Sequence, residues 1–347
     1  MHGKNRTKPF ILLSYEALFR RLRPDYRQIS RIWKDYLNYS AGYQGERNVD
    51  YTTSIHPLPQ STVYHDIRLK FGSYFFQIDT LIVTPTFILI LEVKNMTGEL
   101  SYDSMHDQFI QTIGTERKRQ RNPIQQSLAQ KIQLAEWLKM FNLPTPPIET
   151  LSVISNPNAI IVNPQESPTA FDQLIHVEAL PKKLHEIATK HSRVVLDRRT
   201  LHKLDNLFKT YHTPNQSNLL QKYNIENKHL ISGVSCEKCG HYPLKRPSVK
   251  WVCSKCGFTS KTAHEQLIYD FFLLHKPTLT NSECRHLLQL GNRHQIYYLL
   301  KGLSLRRQGV SRNMKYHAPP LEFFHRRASC PKDTRECSQA ICRTPND

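Results

Sequence analysis

No apolar run in the 347 residues approaches the ~18–20 that a membrane span needs, and "PFILL" near the start is too short for a signal-peptide core and has no small-residue cleavage site. There is no internal repeat and no glycine-rich phosphate loop of the Walker type, so nothing points to an ATPase. Acids are scarce: 29 Asp and Glu stand against 48 Lys and Arg, giving a formal net charge of +19 and a pI near 9.6. These absences describe a soluble, cytoplasmic protein with no membrane partner, and the charge favours a polyanion, nucleic acid first. Eight cysteines in a chain of this length do not make a disulfide scaffold. Four of them fall in two C-x-x-C pairs, which points to metal.

The chain divides by pattern. Residues 1–40 form a basic helical segment broken by Pro24. "AGYQGERNVDY" reads as a short helix, and "TVYHDIRLKFG" as a strand and turn. Residues 74–94 read as two antiparallel strands joined at "TPT", the second apolar on both faces and therefore central in a sheet. "NPIQQSLAQKIQLAEWLKMF" is an amphipathic helix whose apolar face carries Ile124, Leu128, Ile132, Leu134, Ala135 and Leu138. "TLSVISNPNAIIVNP" supplies two short strands, and "HVEALPKKLHEIA" a strand and a helix. The expected layout is an α/β domain over 41–155, its sheet extending to about 190, and a helical linker over 190–235. A cysteine module over 236–260, a helical module over 261–320 and a disordered tail over 325–347 follow. The tail's Cys330, Cys337 and Cys342 have no reading, and the sequence is silent on oligomeric state.

"QIDTLIVTPTFILILEVKN" (77–95) places charge at the mouth of an apolar hairpin. Side chains at i and i+2 of a strand share a face, so Glu92 and Lys94 point one way and Val93 the other. A turn around residues 84–86 sets Asp79 on the neighbouring strand beside Glu92. Carboxylates leaving a core are costly unless paired or bound to metal. Two acids suit Mg²⁺ or Mn²⁺, hard cations that prefer oxygen and that polarise a phosphoryl group and activate water. A lysine beside them can orient that water or offset charge growing on phosphate. On spacing alone, a structural Glu–Lys pair with Asp79 as a turn acid fits equally well.

Four pieces in order resemble the nuclease-related domain (NERD), a branch of the PD-(D/E)-x-K nuclease superfamily. "GYQGER" resembles its G-x-x-G-E opening, "QIDTLIVTP" its Q-I-D strand, "ILILEVKNMTGEL" its I-E-x-K-N-x-x-G strand and turn, and "NPIQQS" its N-P-x-x-Q helix start. The resemblance covers about 41–155 and implies a restriction-endonuclease-like mixed sheet flanked by helices. It implies that Asp79 and Glu92 are ligands of Mg²⁺ or Mn²⁺, Lys94 the catalytic lysine, Glu46 a further acid that ligates or orients, and Gln126 a contact from the helix. Thr80 stands where many members have histidine, and Phe87 where glycine is common.

"CEKCGHYPLKRPSVKWVCSKCGF" sets Cys236 and Cys239 thirteen residues from Cys253 and Cys256. Four thiolates at this spacing fit a closed, structural tetrahedral Zn²⁺ site and resemble a zinc ribbon. Lys245, Arg246 and Lys250 lie around it with Trp251, a mix that suits nucleic-acid contact or a solvated face over a packed tryptophan. Beyond it, "TAHEQLIYDFFLLHKP", a helix–turn–helix over "TNSECRHLLQLGNRHQIYYLLKGL" and a hairpin over "LRRQGVSRNMKYHAP" resemble a winged helix-turn-helix. There Asn292, Arg293, His294 and Gln295 would reach bases, and Arg306, Arg307, Arg312 and Lys315 would grip phosphates. Residues 236–327 hold 16 Lys and Arg against 5 Asp and Glu, over half the chain's positive surplus. The expected function is metal-dependent DNA hydrolysis targeted by the C-terminal modules. A non-catalytic DNA-binding protein on a degenerate nuclease fold, and an RNA-processing or RNA-binding factor, are the alternatives.

Overall fold

A computed structural model of the protein describes residues 3–327 apart from Pro24 and Arg27; of Phe171, Arg312 and residues 325–327 it describes the main chain alone. Cys330, Cys337 and Cys342 lie outside the described residues. The chain falls into two compact units, one drawn from Met1–Arg6 and Asn38–Asn215, the other from Thr7–Leu37 and Gln216–Asp347. Helix α1 is Phe10–Arg21, and the "GYQGER" stretch lies inside a long α2, Ile29–Ile55, rather than in a short helix of its own. No helix among the described residues is long and apolar enough to cross a membrane.

The first unit continues with β1 (Thr62–Phe71), β2 (Tyr74–Val83), β3 (Ile88–Lys94), β4 (Gly98–Asp103), β5 (Gln108–Ile113), β6 (Glu116–Gln120) and α3 (Pro123–Lys139). After these come β7 (Ile148–Ile154), β8 (Ala159–Val162), α4 (Pro168–Gln173), β9 (Leu174–His176), α5 (Leu180–Lys190) and α6 (Arg198–Tyr211). One mixed sheet runs β1-β2-β3-β7-β9, antiparallel through β3 and parallel beyond it. The apolar double face of β3 follows from its central place. Ile88 and Ile90 join a core with Leu134 and Trp137 of α3 and Leu204 and Phe208 of α6. Leu89, Leu91 and Val93 join the opposite core with Val49 of α2 and Leu180 and Leu184 of α5. Glu92 and Lys94 are in phase with Ile88 and Ile90, so they emerge toward α3.

The strands β1 and β2 both slip at one point. Tyr64, Ile67 and Leu69 of β1, and Phe76, Ile78, Leu81 and Val83 of β2, all enter the same core. Core positions therefore step by three, not two, between 64 and 67 and between 78 and 81. Asp66 sits at this break in a left-handed conformation (φ 52°), and Asp79 stands across from it. A single strained residue of this kind re-aims the side chains around it.

Asn122 caps α3, its side chain accepting from the main-chain N–H groups of Ile124 and Gln125, with Pro123 at the first helical position. The buried face is Ile124, Ser127, Gln130, Leu134, Trp137 and Leu138. Ile132, expected on that face, is 65% exposed. Two residues turn a helix by about 200°, so Ile132 cannot share a side with both Gln130 and Leu134. A second sheet, β6-β5-β4-β8, joins the strand expected in "NAIIV" to three strands over 98–120 that gave no clear signal beforehand. Leu100, Tyr102 and Phe109 carry one face of it onto Ile124 of α3 and Leu174.

The second unit holds α1, the start of α2, α7 (Leu219–Lys222), β10 (Trp251–Val252), β11 (Thr259–Ser260), α8 (His264–Leu274) and β12 (Thr278–Thr280). It continues with α9 (Asn281–Leu288), α10 (Arg293–Gly302), β13 (Arg307–Gln308), β14 (Lys315–His317) and α11 (Leu321–Arg327). Leu18, Trp251, Ile268, Phe272, Leu279 and Ile296 lie in one core. Part of the N-terminal basic charge is spent inside it: Arg20 and Arg21 both bond the fully buried carboxylate of Asp270 and tie α1 to α8. Losing one partner of such a buried network costs about 3–5 kcal/mol.

Candidate functional site

Glu92 is 1% exposed at the end of β3. Its Oε1 accepts from Lys94 Nζ at 2.5 Å and its Oε2 from Gln130 Nε2 at 2.7 Å. Lys94 Nζ also donates to Gln126 Oε1 at 3.2 Å. Gln126 and Gln130 are one turn apart, so α3 presents two amides to the strand's acid–lysine pair. Gln130 escaped the sequence reading, although a polar residue in phase with Leu134 and Trp137 is its signal. Gln130 Oε1 is buried with no partner, as is Oγ of Ser152, which pairs with Glu92 in the β3–β7 register.

Asp79 is placed by the register Thr80↔Leu91, which sets it level with Glu92 on the next strand. Its Oδ2 accepts from the main-chain N–H of Val93 at 2.9 Å. Glu46 comes from α2, which approaches the residues that follow β3 and β7 closely because position 45 is glycine. A Cβ there would lie 2.4 Å from Ser155 Oγ and 2.6 Å from Asn95 Cβ. This is the physical reason for the second glycine in "GYQGER".

Glu46 is turned onto Arg6, which donates to its Oε2. Arg6 is a residue the sequence gave no reason to notice. The same guanidinium donates to Asp50 Oδ2 at 2.5 Å, to the Asp79 carbonyl at 2.8 Å and to Thr80 Oγ1 at 2.9 Å. His65 stands directly across from Thr80, with Nδ1 3.0 Å from Asp50 Oδ1. Each of these acids thus faces a donor, with Glu46 and Asp50 sharing Arg6. Among the described residues, only the four cysteines bring three or more ligand atoms within 4.8 Å of one another.

The acids feel one another nonetheless. Burial, and after it the charge of Asp79, pushes Glu92 up to about 7 against the pull of Lys94 and Gln130. The same two causes push Glu46 up to about 8 against Arg6. Burial raises Asp79 although Lys94 and the Val93 N–H oppose it, and burial and Asp79 raise Asp66. A hard divalent cation fits this setting, for the donor set is all oxygen, its carboxylates repel, and Gln130 Oε1 has an unmet lone pair.

In the second unit the sulfur pairs Cys236–Cys256 and Cys239–Cys253 are 3.7 and 3.6 Å apart. A tetrahedron with bonds of about 2.3 Å to zinc has sulfur–sulfur edges of about 3.8 Å, so the four thiols have the spacing of that ion. The two knuckles repeat each other. Gly240 and Gly257 donate to the carbonyls of Cys236 and Cys253, and those cysteines donate to His241 and Phe258 carbonyls. His241 is engaged with Ser254 Oγ at 3.0 Å and stands apart from the four sulfurs.

Of the residues read as nucleic-acid contacts, Lys245, Lys250, Arg293, Arg307 and Lys315 are exposed. Arg306 is exposed and lies 3.0 Å from His317 Nδ1. Arg246 stacks over Trp251 and donates to the Ser248 carbonyl. Trp251 itself is fully buried and donates to His264 Nδ1 at 3.2 Å. Asn292 is spent as the cap of α10, and the side chain of Arg312 lies outside the described residues. The helices α8, α9 and α10 and the sheet β12-β14-β13 follow one another as the sequence pattern reads, with β12 added. No curated protein and no solved structure matches the chain. One family model does: that of the nuclease-related domain, NERD, which matches residues 41–155, the stretch carrying Glu46, Asp79, Glu92, Lys94 and Gln126.

Proposed function

We propose that the first unit is a Mg²⁺- or Mn²⁺-dependent nuclease acting on DNA, and that the second unit, built as a zinc ribbon and a winged-helix-like module, binds the same nucleic acid. The observation that carries this reading is the buried Glu92 bonded to Lys94, level with Asp79 on the next strand, within the stretch matched by the nuclease-related domain. Asp79 and Glu92 would hold the cation, with Glu46 as a further acid. The cation supplies charge neutralisation at phosphate and a nucleophilic water at neutral pH. Lys94, held by Glu92 and Gln126, is positioned to donate to a phosphoryl oxygen or to water, and its charge offsets the charge that grows there. Gln130 fixes the Glu92 carboxylate from the helix. Cys236, Cys239, Cys253 and Cys256 would hold Zn²⁺ in a closed, structural site. Lys245, Lys250, Arg293, Arg306, Arg307 and Lys315 offer phosphate contacts, and Arg246 contributes less because it is turned onto Trp251.

The test is incubation of the purified chain with single-stranded, duplex and branched DNA and with RNA, each with Mg²⁺, with Mn²⁺ and with no added divalent ion. Metal-dependent cleavage is expected, falling on the order of 10²–10³-fold or more in Glu92→Ala and in Lys94→Ala. Binding without cleavage under every condition, or full activity in Asp79→Ala, Glu92→Ala and Lys94→Ala alike, would remove the catalytic assignment. Cleavage of RNA alone would move the substrate class.

A further inference from the structure

The strand β6 is the outer edge of the second sheet and reads Glu116-Arg117-Lys118-Arg119-Gln120, with Arg121 next. Arg117, Lys118, Arg119 and Arg121 are all exposed, and none makes a side-chain hydrogen bond or ion pair with a described residue. Neighbouring polar groups are satisfied: Gln120 bonds Gln111, and Gln125 bonds Asp107. The pairing Ile110↔Arg119 and Thr112↔Arg117 puts these two arginines on the face opposite Phe109, which is buried in the core.

Both roots of this excursion are at the candidate active site. Only residues 95–97 separate Lys94 from the start of β4 at Gly98. A Cβ at Gly98 would lie 2.3 Å from the Thr112 carbonyl, so glycine lets β4 and β5 close right at the root. At the other end Arg121 precedes the cap Asn122, and Gln126 donates its N–H to the Asn122 carbonyl one turn later. One residue and one helical turn put the Cα of Arg121 within about 10 Å of that of Gln126, whose side chain touches Lys94.

We infer that β6 and Arg121 form a phosphate-binding arm for the nucleic-acid strand that enters the acid site, an inference that rests on the nuclease reading of that site. Glu46, Asp66, Asp79 and Glu92 repel a polyanion, so within this unit the attraction that holds one at the site comes from other side chains. Four unpaired cations at the root of the site supply it, and three are arginines, whose planar fork suits phosphate oxygens. Charges on an edge strand also deter edge-to-edge pairing. That purpose favours lysine, so it accounts for Lys118 and not for the three arginines.

The experiment uses the full chain in a Glu92→Gln background without added Mg²⁺ or Mn²⁺, and reads binding of labelled single-stranded and duplex DNA by fluorescence anisotropy across a salt series. With Arg117→Ser, Lys118→Ser, Arg119→Ser and Arg121→Ser combined, the slope of log Kd against log salt should fall by about 2–4, with at least a tenfold weaker Kd at low salt. Arg117→Lys, Arg119→Lys and Arg121→Lys combined should keep the slope. Arg119→Ser alone carries the test if the fourfold variant does not fold, with a slope change of about 1. An unchanged slope and Kd in a folded fourfold variant would overturn the arm. So would an unchanged DNA affinity together with lost binding to phosphatidylserine vesicles. Cleavage by the wild-type chain is scored separately. Its absence with every metal while the slope falls would remove the nuclease and leave the arm, and its presence with an unchanged slope would remove the arm alone.

Discussion

In the first unit each acid of the site already faces a donor supplied by the protein: Glu46 and Asp50 have Arg6, Glu92 has Lys94 and Gln130, and Asp79 has the Val93 N–H. In the second unit the four sulfurs contact one another, and the donors that reach them are main-chain N–H groups, those of Lys255 and Cys256 at Cys253 and of Phe258 at Cys256. The oxygen site also rests on a five-stranded sheet with a core on both faces, whereas the knuckles around the sulfurs have a two-residue strand pair and meet a core on one side only, through Cys236, Trp251 and Cys253. On the proposed reading, a cation at the first site would add chemistry to a scaffold that stands without it, and Zn²⁺ at the second would hold the knuckles together.

That contrast breaks most visibly on metal removal, where the largest effect is expected. A structural zinc site contributes roughly 10–16 kcal/mol to the fold around it. Stripping zinc, or replacing Cys253 by Ser, should abolish amide protection through β10 and β11 and expose Trp251, read as a red shift of its emission. Protection of β2 and β3 should stay as it was. Loss of protection in both places would mean that the first site needs its ion as a scaffold, contrary to the comparison.

A second effect sharpens the role of α3. Gln130 bonds the Glu92 carboxylate, while Gln126 bonds Lys94. Groups that orient a ligand are typically worth 10–100-fold in metal affinity or activity. Gln130→Leu should therefore raise the Mn²⁺ concentration giving half-maximal cleavage by about that factor, whereas Gln126→Leu should lower turnover with little change in metal requirement. Identical profiles for the two variants would show that α3 acts only as packing.

The two units also differ in how much of them could be read from residues. Strands β2 and β3, their register and the central place of β3 were legible because an apolar run on both faces admits few other positions. The four cysteines were legible because ligand spacing is local. The slip at Asp66 and Asp79 was written in the sequence too, as Tyr64-x-x-Ile67 and Ile78-x-x-Leu81, but it becomes a signal only once the two strands are aligned. Arg6 was not legible: it reaches the site from a segment 40 residues before Glu46, and no local pattern links them. Residues 98–120 hid for a different reason. Their sheet buries one face, and a polar edge such as "ERKRQ" carries no alternation to detect. Trp251 among its lysines fitted either nucleic-acid contact or inward packing, and the structure buries it, because aromatic residues flanked by charge pack inward as readily as they face out.

A further effect sets the two units against each other on the pH axis. Glu92 and Glu46 titrate near 7 and 8 in the fold, above the ordinary carboxylate value, so the folded state holds their protons after the unfolded chain has released them. Their contribution is fully present below about 4.5 and is lost as pH rises through 7 to 8. His264 runs the other way. Burial lowers it to about 4, and its neutral ring accepts the Trp251 N–H. Its contribution is present above about 6.5 and is lost as pH falls toward 4. Each group contributes at most about 1.4 kcal/mol per pH unit. Without added Mg²⁺ or Mn²⁺, protection factors of β3 amides should decline from pH 5 to pH 8 and those of α8 amides from pH 7 to pH 5, with Glu92→Gln flattening the first trend and leaving the second. If both units drift in the same direction, or if Glu92→Gln leaves the β3 trend intact, the acids of the first site are not the groups that couple it to protons, and the contrast between the oxygen site and the sulfur site loses its electrostatic half.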